Sequence, residues 1–491
     1  MRIVHLIILA TGGLTACTIL PPRTDLLIGA YPPEWYAPLP HRGAVTDLSL
    51  WWDQLEDPFL GKLIASAQKS GPTLAAARTR IEQARSTQVT TRAALLPSLD
   101  TSLSVTQSSA QPPIIPENTT LQGALQSSWE LDLFGANRAN HEAAQARLQG
   151  SAAGWHEARV VLAAEVATSY YSLRACEIML KITRADAHSR IETARLSALS
   201  ANAGFTAPAT AALAQASAAE GKGRVTQQQA QCDSNIKSLV SLSALPEPEL
   251  RRELAETPAR LPTEAVVTLA SIPAQVLAQR PDVYTAEREV IAASYEVSGA
   301  QAIRYPRLGL SGSIGATRFI AGNVTSDLST WSIGPLSLSV PVFDAGKGRA
   351  NLQAARARYD EAIIKYQSTV RNAVREVEQA LVNLQSTGAR GEYVVQAVKG
   401  FRTSLGGTES LYQNGLASLY ELEESRRTRL AAELAVVSLQ QERVLAWIAL
   451  YRAAGGGWDA SQLSVPPVSA GSAPAVAPAP FWKKWWNNAS Q

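Results

Sequence analysis

The sequence predicts a mainly α-helical chain with a small transmembrane β part, one architecture built twice. Three observations carry this: a long internal repeat, four segments of alternating apolar and polar residues, and two very long helical stretches. Residues 71 to 147 read against residues 280 to 356 at an offset of 209, with Pro72 on Pro281, Pro97 on Pro306 and Phe134 on Phe343. Around these anchors AALLPSLDTSLSV (93 to 105) lines up with AIRYPRLGLSGSI (302 to 314). WELDLFGANRANHEAAQAR (129 to 147) lines up with LSVPVFDAGKGRANLQAAR (338 to 356). A register kept without a gap through loops and helices marks a duplication.

The N-terminus reads as a secretion signal. Arg2 precedes an apolar run from Ile3 to Ala10, and Leu14, Thr15, Ala16 and Cys17 form a small-residue cleavage site ending in cysteine. This looks like a bacterial lipoprotein signal, in which residues 1–16 are removed and Cys17 carries lipid. Thr18, where an Asp would retain such a lipoprotein, implies the outer membrane. A lipid anchor attaches a chain to a membrane without making it span.

Composition narrows the class. The net charge is only +3 and the lysines and arginines are dispersed, which argues against nucleic acid as a partner. No run of eighteen apolar residues follows the signal, and segments such as VVLAAEVATSYYSL are broken by Glu165 and Ser169. A mature chain of this kind crosses a membrane only as a closed β-barrel.

The strands follow from period-two alternation. Leu99, Leu103 and Val105 alternate with Asp100, Ser102, Ser104 and Thr106. Leu121, Leu125, Trp129, Leu131 and Leu133 share one face, and Gln122, Gln126, Ser128, Glu130 and Asp132 share the other. The second copy sets Leu308, Leu310 and Ile314 against Ser311 and Ser313, then Leu336, Leu338, Val340 and Val342 against Ser337 and Ser339. Gly334 and Pro335 fall where the phase slips and suggest a bulge or kink.

Each strand pair is followed by a helical stretch, from about 137 to 202 and from about 347 to 413, with almost no Pro and much Ala, Gln, Arg and Glu. Tyr359, Ile363, Tyr366, Val370, Ala373, Val377, Ala380 and Leu384 recur in steps of four and three, a heptad-like seam. About 65 residues at 1.5 Å each span roughly 100 Å, a length suited to crossing a periplasm. Matched tips near Gly204 and Gly415 reverse the chain into further helix. Cys176 lies 28 residues before Gly204 and Cys232 lies 28 after it, so antiparallel helices turning at that glycine set the two cysteines at one height. An oxidising periplasm allows a disulfide there.

Together these pieces resemble the TolC-like outer membrane efflux factors, in the lipoprotein branch (NodT or OprM type) that serves resistance-nodulation-division pumps. The resemblance rests on the Cys17 lipobox, WWDQLEDPFLGKLI, the GPTL and RPDV helix starts, the PSL and PRL strand starts, DLFG and VFDAGKGR, the two Gly tips, and the closing ALYRAAGGGW. It covers nearly all of residues 45 to 458, although TILPPRTDLLIGAYPPEW lacks the family's Gly-Pro-Asp-Tyr start. Four strands cannot close a membrane barrel, for which about eight is the practical minimum. The resemblance implies a homotrimer with a 12-stranded outer membrane β-barrel, continued by a 12-helix periplasmic α-barrel. The N-terminal segment and the region from about Pro246 to Pro273 would wrap it as a mixed α/β equatorial belt. It further implies a passive exit duct without cofactor, whose partners are a periplasmic adaptor, an inner membrane transporter of the resistance-nodulation-division type and outer membrane lipid. The alternatives are the duct of a type I protein secretion system and, from another class, the periplasmic adaptor itself.

The expected organisation is a signal (1–16), a lipidated N-terminal segment with belt (17–70), two repeats (71–260 and 261–458) and a Pro- and Ala-rich tail (459–491) ending in FWKKWWNN. An enzymatic reading fails: HEAAQ at His141 and HEARV at His156 lack the second His of a zinc helix. GGGW at Gly455 follows helix, not strand, and so reads as a helix end. Tyr420, Glu424 and Arg427, spaced by four and three, share a helix face. In the family such positions narrow the periplasmic mouth, and Glu421 and Arg426 are the nearest substitutes. The tips, Gly204, Phe205 and Thr206 with Gly415, Leu416 and Ser418, are the expected adaptor-docking points.

Overall fold

The computed structural model describes residues 19–22, 32–39, 51–109, 117–262 and 273–459. The signal, Cys17 and the FWKKWW tail lie outside the described residues. A short α1 (Trp51–Gln54) leads into α2 (Pro58–Ser70) and α3 (Pro72–Ala93), then the hairpin β1 (Ser98–Ser108) and β2 (Asn118–Leu131). The long α4 (Ala136–Asn202) and α5 (Pro208–Ser243) follow, with α6 (Glu247–Glu256) and α7 (Pro273–Ala278) leading to the second half. That half runs α8 (Pro281–Ala302), β3 (Arg307–Ala321), β4 (Val324–Ser339), α9 (Lys347–Gln413) and α10 (Leu419–Ala453).

The halves match element by element. The helices α3 and α8 each have 22 residues and begin with Pro at the first turn, where its missing N–H costs nothing. The long helices α4 and α9 each have 67, and each is entered through a glycine of positive φ, Gly135 at 83° and Gly346 at 89°. The offset of 209 holds for α3 against α8 and for the strand starts, Ser98 and Arg307. From the base of the second strand onward it becomes 211: Ser98 pairs with Ser128 but Arg307 pairs with Ser339, and Gly135 and Gly204 answer Gly346 and Gly415. The ungapped alignment of 129–147 on 338–356 is therefore displaced by two residues. The extra residues sit in the second hairpin, whose ladder shifts between Leu310 and Gly312, opposite the cis Gly334–Pro335 bond.

The strands form one antiparallel sheet in the order β1-β2-β3-β4, so β1 and β4 are its edges. Cross-strand pairs fix the faces. Val105, Leu121 and Arg318 share a row, as do Leu125, Ile314 and Trp331. The opposite face carries Asp100, Gln126, Ser313 and Ser332 in one row and Ser104, Gln122 and Thr317 in another. The apolar face is bare, with Leu103 83% and Ile333 85% exposed.

The main hydrophobic core lies well below the sheet, where α2 and α6 pack over α4, α5 and α10. Asp57 caps α2 by accepting from the Leu60 N–H at 3.2 Å and receives the Tyr170 hydroxyl at 2.9 Å. Buried Arg174 donates to the Leu254 carbonyl at 3.3 Å and pairs with Glu177 at 2.8 Å, tying α6 to α4. The N-terminal segment crosses to the other half: the N–H groups of Tyr36 and Ala37 donate to the Glu378 carboxylate at 2.7 and 2.9 Å, and Trp51 stacks on Tyr451. Among the described residues this belt is helix and irregular chain, and all four strands belong to the sheet above, so the β portion expected of the belt is not found among them.

One joint ties the start of the second half to its own later helices. Arg280 is buried and bidentate on Asp282 at 3.0 and 2.7 Å, reaches Glu376 of α9 at 3.0 Å, and donates to the Ala453 carbonyl at the end of α10 at 2.7 Å. Gly455, Gly456 and Gly457 all have positive φ, and a Cβ on Gly455 would come 2.1 Å from the Gln279 carbonyl oxygen. GGGW is thus a packed helix end, seating Trp458 against Tyr284 and His156. Glu157 of α4 lines a cavity of about 190 Å³ at this joint, with Arg280, Asp282, Glu376 and Arg452. Burial first, then repulsion from Asp282 and Glu376, raises its carboxyl above the ordinary range. A carboxyl raised on folding contributes stability below its unfolded pKa and loses it as pH rises through the folded value. Glu157→Gln is therefore expected to raise the melting temperature at about pH 8, with the gain shrinking towards about pH 5. A gain that does not change with pH contradicts this account of the joint.

Candidate functional site

The far ends of the hairpins are built by left-handed glycines. Gly204 has φ 78° and Gly415 φ 72°, with nothing within 4 Å of an added Cβ, so the backbone conformation and not crowding demands glycine there. The Phe205 N–H closes on the Ser200 carbonyl at 2.9 Å and the Leu416 N–H on the Leu411 carbonyl at 2.8 Å, a six-to-one closure in both. These turns leave Phe205 86% and Leu416 75% exposed, one apolar side chain standing out of each tip. Thr206 is held by a hydroxyl contact with Ser200 at 2.5 Å.

Ser418 and Glu421 form a capping box that starts α10: the Glu421 N–H donates to Ser418 Oγ at 3.2 Å, and the Ser418 N–H donates to the Glu421 carboxylate at 2.6 Å. The hydrogen bonds from Ser418 hold the Glu421 carboxyl below its ordinary value. Glu421, read from the sequence as a substitute gate residue, thus spends its carboxylate on the helix start. Tyr420 stands exposed, and Glu424 and Arg427 pair with each other on the exposed side of α10.

Beneath that surface lies a charged lattice joining the two hairpins. Arg190 of α4 pairs with Asp186 at 2.7 Å and with Glu423 of α10 at 2.5 Å, and donates to Ser217 of α5 at 2.7 Å. Arg426 pairs with Glu423 at 3.0 Å, lies 3.7 Å from Glu409 of α9 and donates to Thr193 at 2.8 Å. Arg429 bridges Glu433 and Asp186, and Arg402 of α9 also reaches Glu433. Arg190, Asp186, Arg426 and Glu433 are all buried. Charges this far from water persist only when paired. Sequence reading ranked Arg426 as a substitute and missed the rest, because single polar residues on α4 and α10 look like solvated helix faces. The available signal was the density of Glu and Arg in LYELEESRRTR, beyond what one exposed face holds.

Higher up, Cys176 and Cys232 are joined as a disulfide between α4 and α5, with Cα atoms 5.5 Å apart. In the chain-entropy description, closing a loop of this length stabilises the chain by roughly 4 kcal/mol. The second hairpin has Thr387 and Arg443 at the corresponding positions, 211 residues on, and no such bond. At the other end of the molecule the polar sheet face is lined by serine hydroxyls, with Ser98 on Ser128 at 2.8 Å and Ser313 on Ser332 at 2.9 Å.

Comparison with known proteins agrees with this geometry over most of the chain. The solvent efflux pump outer membrane protein SrpC of Pseudomonas putida is 27% identical over 440 residues, covering 86% of this chain and 90% of that protein. Nodulation protein T of Rhizobium leguminosarum bv. trifolii is 28% identical over 440 residues, covering 87% and 93%. The solved outer membrane protein VceC of Vibrio cholerae superposes with a TM-score of 0.74 at 26% identity, covering 85% of this chain and all of that one. Residues 63–244 and 272–456 each match the model of one family, so the chain belongs to the outer membrane efflux proteins.

Proposed function

We propose that three copies of this chain form an outer membrane exit duct, passively conducting small molecules delivered by an inner membrane pump of the resistance-nodulation-division type and a periplasmic adaptor. The carrying observation is a four-stranded sheet with a bare apolar face and two unpaired edges, prolonged by helices of 67 residues. Three copies give twelve strands and twelve long helices, and the repeated halves make the ring nearly six-fold. A stripe on α9 supports lateral association: Ile364, Val382, Tyr393 and Leu411 are exposed and spaced by 18, 11 and 18 residues, which keeps them on one helix side. A periplasmic adaptor would carry one hairpin interrupting a small β-domain, whereas this chain has two, each preceded by strands. The repeats are assigned to 71–260 and 261–458. Cys17 carries the lipid that holds the segment before the belt at the outer membrane, and lipid labelling lost in Cys17→Ala tests this.

The tips at Gly204 to Thr206 and Gly415 to Ser418 dock the adaptor through the exposed Phe205 and Leu416. Leu416→Asp combined with Phe205→Asp is expected to abolish export-dependent resistance while leaving the amount of assembled protein unchanged. Resistance retained in that double variant places docking elsewhere.

The buried lattice, more than the exposed Glu424–Arg427 pair, holds the second hairpin against the first and keeps the periplasmic mouth narrow. An exposed pair contributes about 0.2–1 kcal/mol, whereas removing one partner of a buried pair costs roughly 3–5 kcal/mol. Arg426→Leu should therefore raise single-channel conductance in planar bilayers more than Glu424→Ala with Arg427→Ala, and speed hydrogen exchange at the start of α10. If all these variants conduct like the parent, the constriction lies elsewhere.

A further inference from the structure

The chain contains a template for its contact with the next copy. Within one chain β2, the second strand of the first hairpin, pairs with β3, the first strand of the second. In a ring of copies the remaining junction joins β4, the second strand of a second hairpin, to β1 of the next copy, the first strand of a first hairpin. Both junctions are of one kind, so the register seen at the first can be carried to the other.

Two correspondences are needed, and both are observed. Positions on β3 answer positions on β1 that lie 209 residues earlier, from the paired strand starts Arg307 and Ser98. At the base of the sheet, positions on β2 answer positions on β4 that lie 211 residues later, because Ser128 faces Ser98 as Ser339 faces Arg307. On the template side Ser128 pairs with Ser311, Ser127 with Gly312, Gln126 with Ser313 and Leu125 with Ile314. From this we propose that β4 of one copy pairs antiparallel with β1 of the next, setting Ser339 opposite Ser102, Leu338 opposite Leu103, Ser337 opposite Ser104 and Leu336 opposite Val105. The assignment rests on the multi-copy barrel proposed above and adds its register.

The side chains support it independently of the template. Leu336, Leu338, Leu103 and Val105 are 64%, 65%, 83% and 67% exposed in the single chain, and this register places leucine or valine opposite leucine on the apolar face. It also places serine opposite serine on the polar face, the contact already made within both hairpins by Ser98 with Ser128 and Ser313 with Ser332. A slip of one residue would set each leucine opposite a serine or threonine and mix the faces. A slip of two keeps the faces, so only the template separates it from the proposed register. What transfers is the backbone ladder and not every side-chain contact. Arg147 of α4 pairs with Glu289 and Glu296 of α8, while the answering residues Arg358, Arg80 and Thr87 offer no carboxylate.

Cysteine pairs on the polar face test the register in the full-length chain. Ser339→Cys with Ser102→Cys is compared with Ser339→Cys with Ser104→Cys and Ser339→Cys with Asp100→Cys, the two-residue slips in either direction. Each is oxidised with diamide in the membrane and run without reductant, beside a native gel that reports assembly. The expected result is a covalent trimer from the 339/102 pair, several-fold above either slipped pair. A slipped pair that crosslinks best, or no crosslink from any pair in a chain still trimeric on the native gel, overturns the register and leaves the barrel standing. A chain that is monomeric on the native gel with single cysteines removes the barrel as well.

Discussion

The peptide groups along the free edges of β1 and β4 set the terms for the rest of the molecule. In water an edge strand can be hydrated; in hydrocarbon each unpaired N–H or C=O costs several kcal/mol, so an open sheet cannot remain there. This sheet cannot close on itself, because four strands are too few, yet its outer face is apolar and bare. In the proposed assembly further copies satisfy the edges, and the ring that they make is inherited by every element hanging below. Long helices leave the strand bases through Gly135 and Gly346, so in the proposed assembly the circle of strands continues as a circle of helices, with the serine-lined face as its bore.

The two halves are built alike but held differently. The first hairpin has a covalent staple between α4 and α5, and α2 and α6 pack over it. The second lacks the staple, and near its tip it is held to the first through Arg190, Glu423, Arg426 and Asp186. Buried ion pairs add little net stability over apolar packing, but they can be broken and re-formed where a disulfide cannot. The proposed duct, narrow at rest and widened on docking, would have use for that difference, which would not arise if both halves had kept the same contacts.

Features set by local pattern were legible in the sequence. Period-two alternation located part of each strand and its faces, although Leu133, Val340 and Val342 fall beyond the strand ends and most of β4 precedes Leu336; the uninterrupted run without proline located α9 to its first and last residue, and Gly204 and Gly415 marked the reversals. Equal spacing about Gly204 brought Cys176 to Cys232 because a helix advances by a constant rise. What was not legible depends on which helix faces which. Arg190 and Glu423 are 233 residues apart, and no periodicity links them. The Glu378 carboxylate that grips the Tyr36 and Ala37 backbone has no local signature either. The two-residue slip between the halves was hidden because Phe134 on Phe343 offered a persuasive match, while the true equivalence is marked by backbone conformation at Gly135 and Gly346.

The central claim is that one chain supplies a third of a closed membrane barrel. Native mass spectrometry of the protein extracted from outer membranes in mild detergent tests it most directly. The account predicts a complex of three chains that persists as detergent is exchanged. A stable monomer, or an assembly whose chain number is not three, would contradict it.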